Sequence, residues 1–251
     1  MNSETTGGRF TRTIDLYGAE GFARIRAAGV AVVGLGGVGA HAALALARSG
    51  IGRLRLCDFD RVSVSSLNRH PSARPADVGR FKTEVLAEAV RSTCPDTGVE
   101  ERRDFVDAET VAGVLDPPPD LIVDAIDTLG PKVALLTHCV LERRPVVSSM
   151  GASARRGVAG IREGDLSEST HCPLARHVRR RFRAAGIEGR IHCVYSVGPA
   201  EEPLPPELED VGIARGRARH RQPSSICLPG IFGYALAAAA LDRLARGSGG
   251  E

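Results

Sequence analysis

The chain reads as an α/β protein with a Rossmann-like, doubly wound, mostly parallel sheet, and three observations predict it. A β-branched run, Val30–Val33, stops in a glycine turn at Gly34, Gly36, Gly37 and Gly39, and an alanine-rich helical pattern, Ala40–Ser49, follows. A second apolar run, Leu54–Cys57, closes on Asp58, about 20 residues past the last glycine, where the ribose-binding acid of a dinucleotide site belongs. Short apolar runs then keep alternating with helical spacings as far as Met150. Repeated βα units with short connections close as parallel strands joined by right-handed crossovers.

Taken in order, residues 1–8 read as a flexible tail, and a polar start leads into a helix-like piece at 19–27. Lys82–Ser92 places Val85, Leu86, Ala89 and Val90 at helical spacing. Val99–Arg103 is a weak strand, and Ala108–Leu115 a short helix closed by Pro117, Pro118 and Pro119. Leu121–Asp124 reads as a buried strand, Pro131–Leu141 as a helix with proline at its start, and Val146–Met150 as another strand. Beyond Gly151, Leu174–Arg183 is a basic helix, Ile191–Tyr195 a strand, 198–223 a mobile loop and Ile231–Arg246 an apolar closing helix. With no linker between the halves, 9–246 is expected as one domain: a nucleotide-binding half at 9–150, a substrate-side half at 151–246 extending the same sheet, and a tail at 247–251.

Composition narrows the class. With 43% hydrophobic and 25% charged residues over 251 positions, the chain can bury a core, which excludes a disordered protein. A net charge of +3 is too small to argue for nucleic acid by itself. Lys82 and Lys132 are the only lysines, so the basic residues are almost all arginine. Six cysteines form no C-x-x-C pair and the polar N-terminus carries no signal pattern; together these predict a cytoplasmic protein with reduced thiols and no structural zinc. The apolar run Leu228–Leu241 contains Gly and Pro and is short for a membrane span, so it reads as a buried helix and no membrane association is expected.

The residues able to do chemistry follow the strands. A backbone freed of side chains at Gly34–Gly39 approaches phosphates closely, and the following helix faces them with its N-terminus. Asp58 has the geometry to take ribose hydroxyls, and Asp60 emerges on the same side of an extended chain. Asn68, Arg69 and Lys82 supply donors and fixed cations of the kind a polyphosphate site needs. Asp124 and Asp127 follow a buried strand at its C-terminal edge, where ligands of open α/β sheets bind. A carboxylate beside phosphates suits Mg²⁺, which takes one or two carboxylates plus phosphate oxygens. Cys57 and Cys139 fall in apolar patterns, and Cys193 and Cys227 also read as structural. An NAD(P)-dependent oxidoreductase would use the glycine turn and Asp58 but leave Asn68, Arg69 and Lys82 idle; a non-catalytic nucleotide-binding regulator is a further alternative.

At these residues the chain resembles the ThiF/MoeB-type adenylyltransferases, relatives of ubiquitin-activating enzymes. The resemblance rests on Gly34–Gly39, the run from Asp58 to His70, Gly79-x-x-Lys82 and Asp124–Asp127. It implies ATP as cofactor and activation of a carboxylate as an acyl-adenylate. Asp58 would bind ribose, Asn68, Arg69 and Lys82 the phosphates, and Asp127 magnesium; Arg69, Lys82 and Asp127 would be the catalytic residues. Arg9 or Arg12 would match an N-terminal arginine used at the ATP site, sometimes across a homodimer. Ser66 and His70 depart from the Asn and Gln often found at those positions.

The second half, through Gly164–Arg183, Ile191–Ser196 and the apolar ending, resembles the branch that dehydrates threonylcarbamoyladenosine beside the anticodon of tRNA. Arg176, Arg180 and Arg183 cluster on a 100°-per-residue helix as a candidate nucleic-acid face, with Arg179 and Arg181 flanking them and Val178 and Phe182 anchoring the opposite stripe. The competing partners are a ubiquitin-like sulfur-carrier protein or a small carboxylate.

Overall fold

A computed structural model describes residues 3–202, 204 and 222–247. Helix α1 (Ser3–Ala27) is broken at Gly18 and leads to β1 (Gly29–Val33), α2 (Gly37–Arg48) and β2 (Arg53–Cys57). Then come α3 (Lys82–Thr93), β3 (Gly98–Arg102), α4 (Val111–Val114), β4 (Leu121–Asp124), α5 (Leu129–Leu141) and β5 (Val146–Ser149). The second half adds β6 (Ile161–Asp165), α6 (Pro173–Ala184), β7 (His192–Ser196) and α7 (Cys227–Arg246).

All the strands join one seven-stranded sheet in the order β3-β2-β1-β4-β5-β7-β6, parallel except for β6, which runs antiparallel to β7 at the edge. The order reverses at β1, which pairs β2 on one side and β4 on the other, so the C-terminal ends of β1, β2 and β4 open a crevice at this switch point.

The period of two along β1 sorts its side chains between two cores. Val30 and Val32 join Leu46 of α2, Leu86 of α3 and Phe232 of α7 on one face. Ala31 and Val33 join Val111 of α4, Leu135 of α5 and Val178 of α6 on the other. Helix α7 is long and apolar enough to cross a bilayer, but Leu228, Phe232, Leu236 and Ala240 are buried in the first of these cores, as expected of a core helix.

Two expectations shift. Ser3–Gly8, read as a tail, is the start of α1; with two glycines and no apolar period, nothing in that stretch marks a helix before Phe10 buries. β6, with Ile161 as its only apolar residue, carries no strand pattern in the sequence. The expected loop at 198–223 lies mostly outside the described residues, as do residues 248–251.

Candidate active site

The glycine turn has no room for side chains where it folds on itself. Gly34 sits at φ 89°, and a Cβ there would stand 2.9 Å from the carbonyl carbon and oxygen of Ala125. A Cβ on Gly39 would meet the Gly34 carbonyl oxygen at 1.8 Å. Gly36 is the opposite case, with no atom within 4 Å of where its Cβ would be. Gly37 rests against Pro229 of α7 and the Arg69 side chain. Helix α2 starts at Gly37 without a capping side chain, so its N-terminal amides face the opening over Gly36 with the positive end of the helix dipole.

Asp58 binds the turn to the second strand. Its Oδ2 accepts the Leu35 N–H at 2.6 Å and its Oδ1 the Asp60 N–H at 2.8 Å. Burial raises its pKa, against the pull of Lys82. The residue expected to meet ribose therefore also holds the glycine loop in place; each oxygen keeps a further lone pair as an acceptor.

Backbone pairing brings Asp60 and Lys82 together. Lys82 N–H donates to the Asp60 carbonyl at 3.0 Å, and Val62 exchanges bonds with Arg80 and Gly79 at 2.8 Å each. Lys82 Nζ then donates to Asp60 Oδ2 at 2.7 Å. Burial opposes the charge on Lys82, but Asp58, Asp60 and Asp127 outweigh it and raise its pKa, so it stays an ammonium. Arg69 donates to the Ser65 carbonyl at 2.5 Å and to Asn68 Oδ1 at 3.2 Å, and Asn68 Nδ2 donates to the Ser224 carbonyl at 3.0 Å, just ahead of α7.

His70 is buried beside these cations. Its Nδ1 accepts the N–H groups of Ser72 and Ala73 at 3.3 and 3.2 Å, which puts the proton on Nε2, a buried donor without a partner. Burial, with Lys82, His41 and Arg69, lowers its pKa to about 4, so it is neutral. Ser66 caps its own turn, accepting from Ser63 N–H at 3.3 Å.

The two aspartates at the end of β4 and just beyond it have different work. Asp124 and Lys132 form an ion pair that is fully buried, and Asp124 also accepts from Ser148 Oγ at 2.6 Å and Ile126 N–H at 3.0 Å. That carboxylate holds β4, α5 and β5 together. Asp127 is exposed, with Thr128 Oγ1 donating to it at 3.1 Å, and lies close enough to Lys82 to raise its pKa. Among the described residues no group of three or more His, Cys, Asp or Glu is placed to hold a metal without help from a ligand.

Away from this centre, Arg176, Arg180 and Arg183 are exposed on α6, while Ala175, Val178 and Phe182 are buried beneath them. Arg179 does not belong to the exposed face: it donates to the Ser169 carbonyl at 2.6 Å and the Leu166 carbonyl at 3.2 Å. Burial pushes the thiols of Cys57, Cys139 and Cys193 up to about 12, which fits structural roles. Cys227, also read as structural, is instead exposed at the start of α7. Arg9 is tied to Thr93 and Asp96 at the far end of α3, away from Lys82 at its start; Arg12 is exposed.

The glycine turn, the Asp58 carboxylate and the largely buried Lys82 ammonium thus meet at one switch point, and the chain matches the ThiF family over residues 10–246. It belongs to that family. It is 38% identical over 195 residues to the tRNA threonylcarbamoyladenosine dehydratase of Escherichia coli, covering 75% of this chain and 73% of the relative. The enzyme of the same name from Bacillus subtilis is 34% identical over 188 residues, covering 75% and 74%. The crystal structure of the E. coli tRNA N6-threonylcarbamoyladenosine dehydratase in complex with ATP superposes with a TM-score of 0.86 at 31% identity, over 97% of this chain and 96% of that one. As a member of the ThiF family the chain realises the expected α/β fold, and the oxidoreductase reading falls away: the donors it would leave idle are gathered at the crevice.

Proposed function

We propose that this chain is an ATP-dependent tRNA threonylcarbamoyladenosine dehydratase, which activates the carboxylate of the modified nucleoside beside the anticodon as an acyl-adenylate and closes it into a ring. The observation that carries the reading is the convergence of Gly36, Asp58, Arg69 and Lys82 at the sheet's switch point, in a chain alike over nearly its whole length to a dehydratase solved with ATP.

A carboxylate oxygen attacks the α-phosphorus of ATP, the bond to the bridging oxygen breaks, and pyrophosphate leaves. A nucleophile within the same threonylcarbamoyl group then attacks the activated carbonyl carbon, gives up its proton to solvent, and expels AMP. AMP carries away the oxygen that entered as carboxylate, so the nucleoside loses the elements of water.

In this scheme Asp58 takes ribose hydroxyls, and Asp60 keeps Lys82 aligned until phosphate competes for it. Arg69, Lys82, Asn68 and the amides at Gly36–Gly39 stabilise charge on the phosphates, where preorganised donors act most strongly. Asp127 would hold Mg²⁺, which would neutralise phosphate charge there. Arg176, Arg180 and Arg183 meet tRNA phosphates. The exposed α7 stripe of Ile231, Tyr234 and Ala238 supports a homodimer, and a tRNA substrate supports a cytoplasmic location.

Exchange of labelled pyrophosphate into ATP tests the reading: the modified tRNA should be required. Exchange driven by a carrier-protein C-terminus or a small carboxylate, with none from tRNA, would overturn it.

A further inference from the structure

The arginines of α6 lead from the active edge to a second basic feature that the chemistry above does not use. At its start, α6 is anchored beside the C-terminal end of β5, where the Gly151 N–H lies 3.4 Å from Cys172 Sγ. The helix then runs away from that edge for about 18 Å at ~1.5 Å per residue. Its trailing loop folds back onto α5: Ile187 N–H donates to the Phe182 carbonyl at 3.0 Å, and Gly189 lies so close that a Cβ there would be 2.7 Å from Val140 Cγ1. Between the C-terminal ends of α5 and α6 this leaves a groove of about 310 Å³, lined by Arg143, Arg144 and Arg190 against one carboxylate, Glu188.

These arginines are not consumed by the fold. Among the described residues Arg143 and Arg144 make no ion pair, and Arg190 reaches only Asp165, at 3.9 Å, with its side chain 94% exposed. The same holds for Arg176, Arg180 and Arg183, whereas Arg179, on the same helix, is engaged by backbone carbonyls. Arg143 also stands at φ 51°, a conformation glycine takes at lower cost.

We infer that the groove at Arg143, Arg144 and Arg190 is a phosphate-binding site for the tRNA backbone, continuing the α6 face to the end of the molecule opposite the nucleotide site. The inference rests on the tRNA reading and adds a remote anchor to it. Planar guanidinium groups suit phosphate oxygens, and a track of them grips a polyanion without reading its bases. Such an anchor would orient the anticodon arm so that the modified nucleoside reaches the crevice, while contributing nothing to ATP.

The test is a salt titration of tRNA binding, with modified tRNA as the probe, for the wild type, an Arg143→Ala/Arg190→Ala variant and an Arg176→Ala/Arg180→Ala/Arg183→Ala variant. The double variant should bind tRNA on the order of tenfold more weakly, and its log–log salt slope should be shallower by about 1.4–1.8, because each lost phosphate contact removes about 0.7–0.9. Its KM for ATP should not move, and Arg190→Glu should weaken tRNA binding further. A double variant with wild-type affinity and slope, beside a weakened α6 variant, overturns the groove alone. Wild type without salt-dependent tRNA binding overturns the tRNA reading and the groove with it. Loss of binding to an acidic carrier protein, with tRNA binding intact, would make the groove a protein-docking surface and overturn it as well.

Discussion

Lys82 donates to Asp60 at 2.7 Å across 22 residues of sequence, so a cation fit for phosphate is held in place by a carboxylate. Lys82→Arg keeps the charge but replaces a compact ammonium with a planar fork in a nearly closed space. The expected result is a loss of adenylation on the order of 10²–10³, the usual cost of one misplaced donor, with thermal stability nearly unchanged. Arg69→Ala should lose as much. Pyrophosphate exchange measures both; near-normal turnover in either variant removes that residue from the phosphates.

Asp58 and Asp127 should separate kinetically. Asp127→Asn is expected to raise the Mg²⁺ concentration needed for half-maximal rate. Asp58→Asn, which keeps one acceptor for the Leu35 or Asp60 N–H, should raise KM for ATP and narrow the preference for ATP over a deoxyribose analogue. An unchanged preference would leave Asp58 with its loop-holding role only.

The Asp124–Lys132 pair is a stability feature rather than a catalytic one. Asp124→Ala leaves a buried ammonium unpaired and should cost about 3–5 kcal/mol, whereas Asp124→Leu combined with Lys132→Met should recover much of it. Denaturant unfolding of the two variants decides this. A mild effect of Asp124→Ala would mean that Lys132 finds other partners.

His70 makes a pH prediction with a definite sign. Its pKa is lowered to about 4 in the fold, against about 6.5 unfolded, so the unfolded chain binds the proton first as pH falls. Its contribution is complete above about 6.5, is lost between about 6.5 and 4, and amounts to at most about 3 kcal/mol. His70→Gln should flatten stability over that window relative to wild type. Parallel pH curves for the two proteins would contradict the neutral, buried histidine.

Much of this architecture was legible because its signals are local. The β1 run alternates between two cores, and the glycine turn is required by contacts at Gly34 and Gly39 that no side chain survives. What escaped depends on tertiary partners. β6 carries one apolar residue, Ile161, in a half-exposed strand, and only its antiparallel ladder with β7 makes it one. Asp124 and Asp127 look alike three residues apart, yet one is sealed under the sheet edge by Lys132 and Ser148 and the other is exposed. Arg179 reads as part of a basic face until the carbonyls of Leu166 and Ser169 claim it.

Incubating the purified protein with ATP, Mg²⁺ and tRNA carrying threonylcarbamoyladenosine, then weighing the released nucleoside by mass spectrometry, decides whether the chain is a dehydratase. The expected result is an ATP-dependent loss of the mass of one water, with AMP and pyrophosphate formed in step. A nucleoside of unchanged mass, or ADP formed in place of AMP, would contradict it.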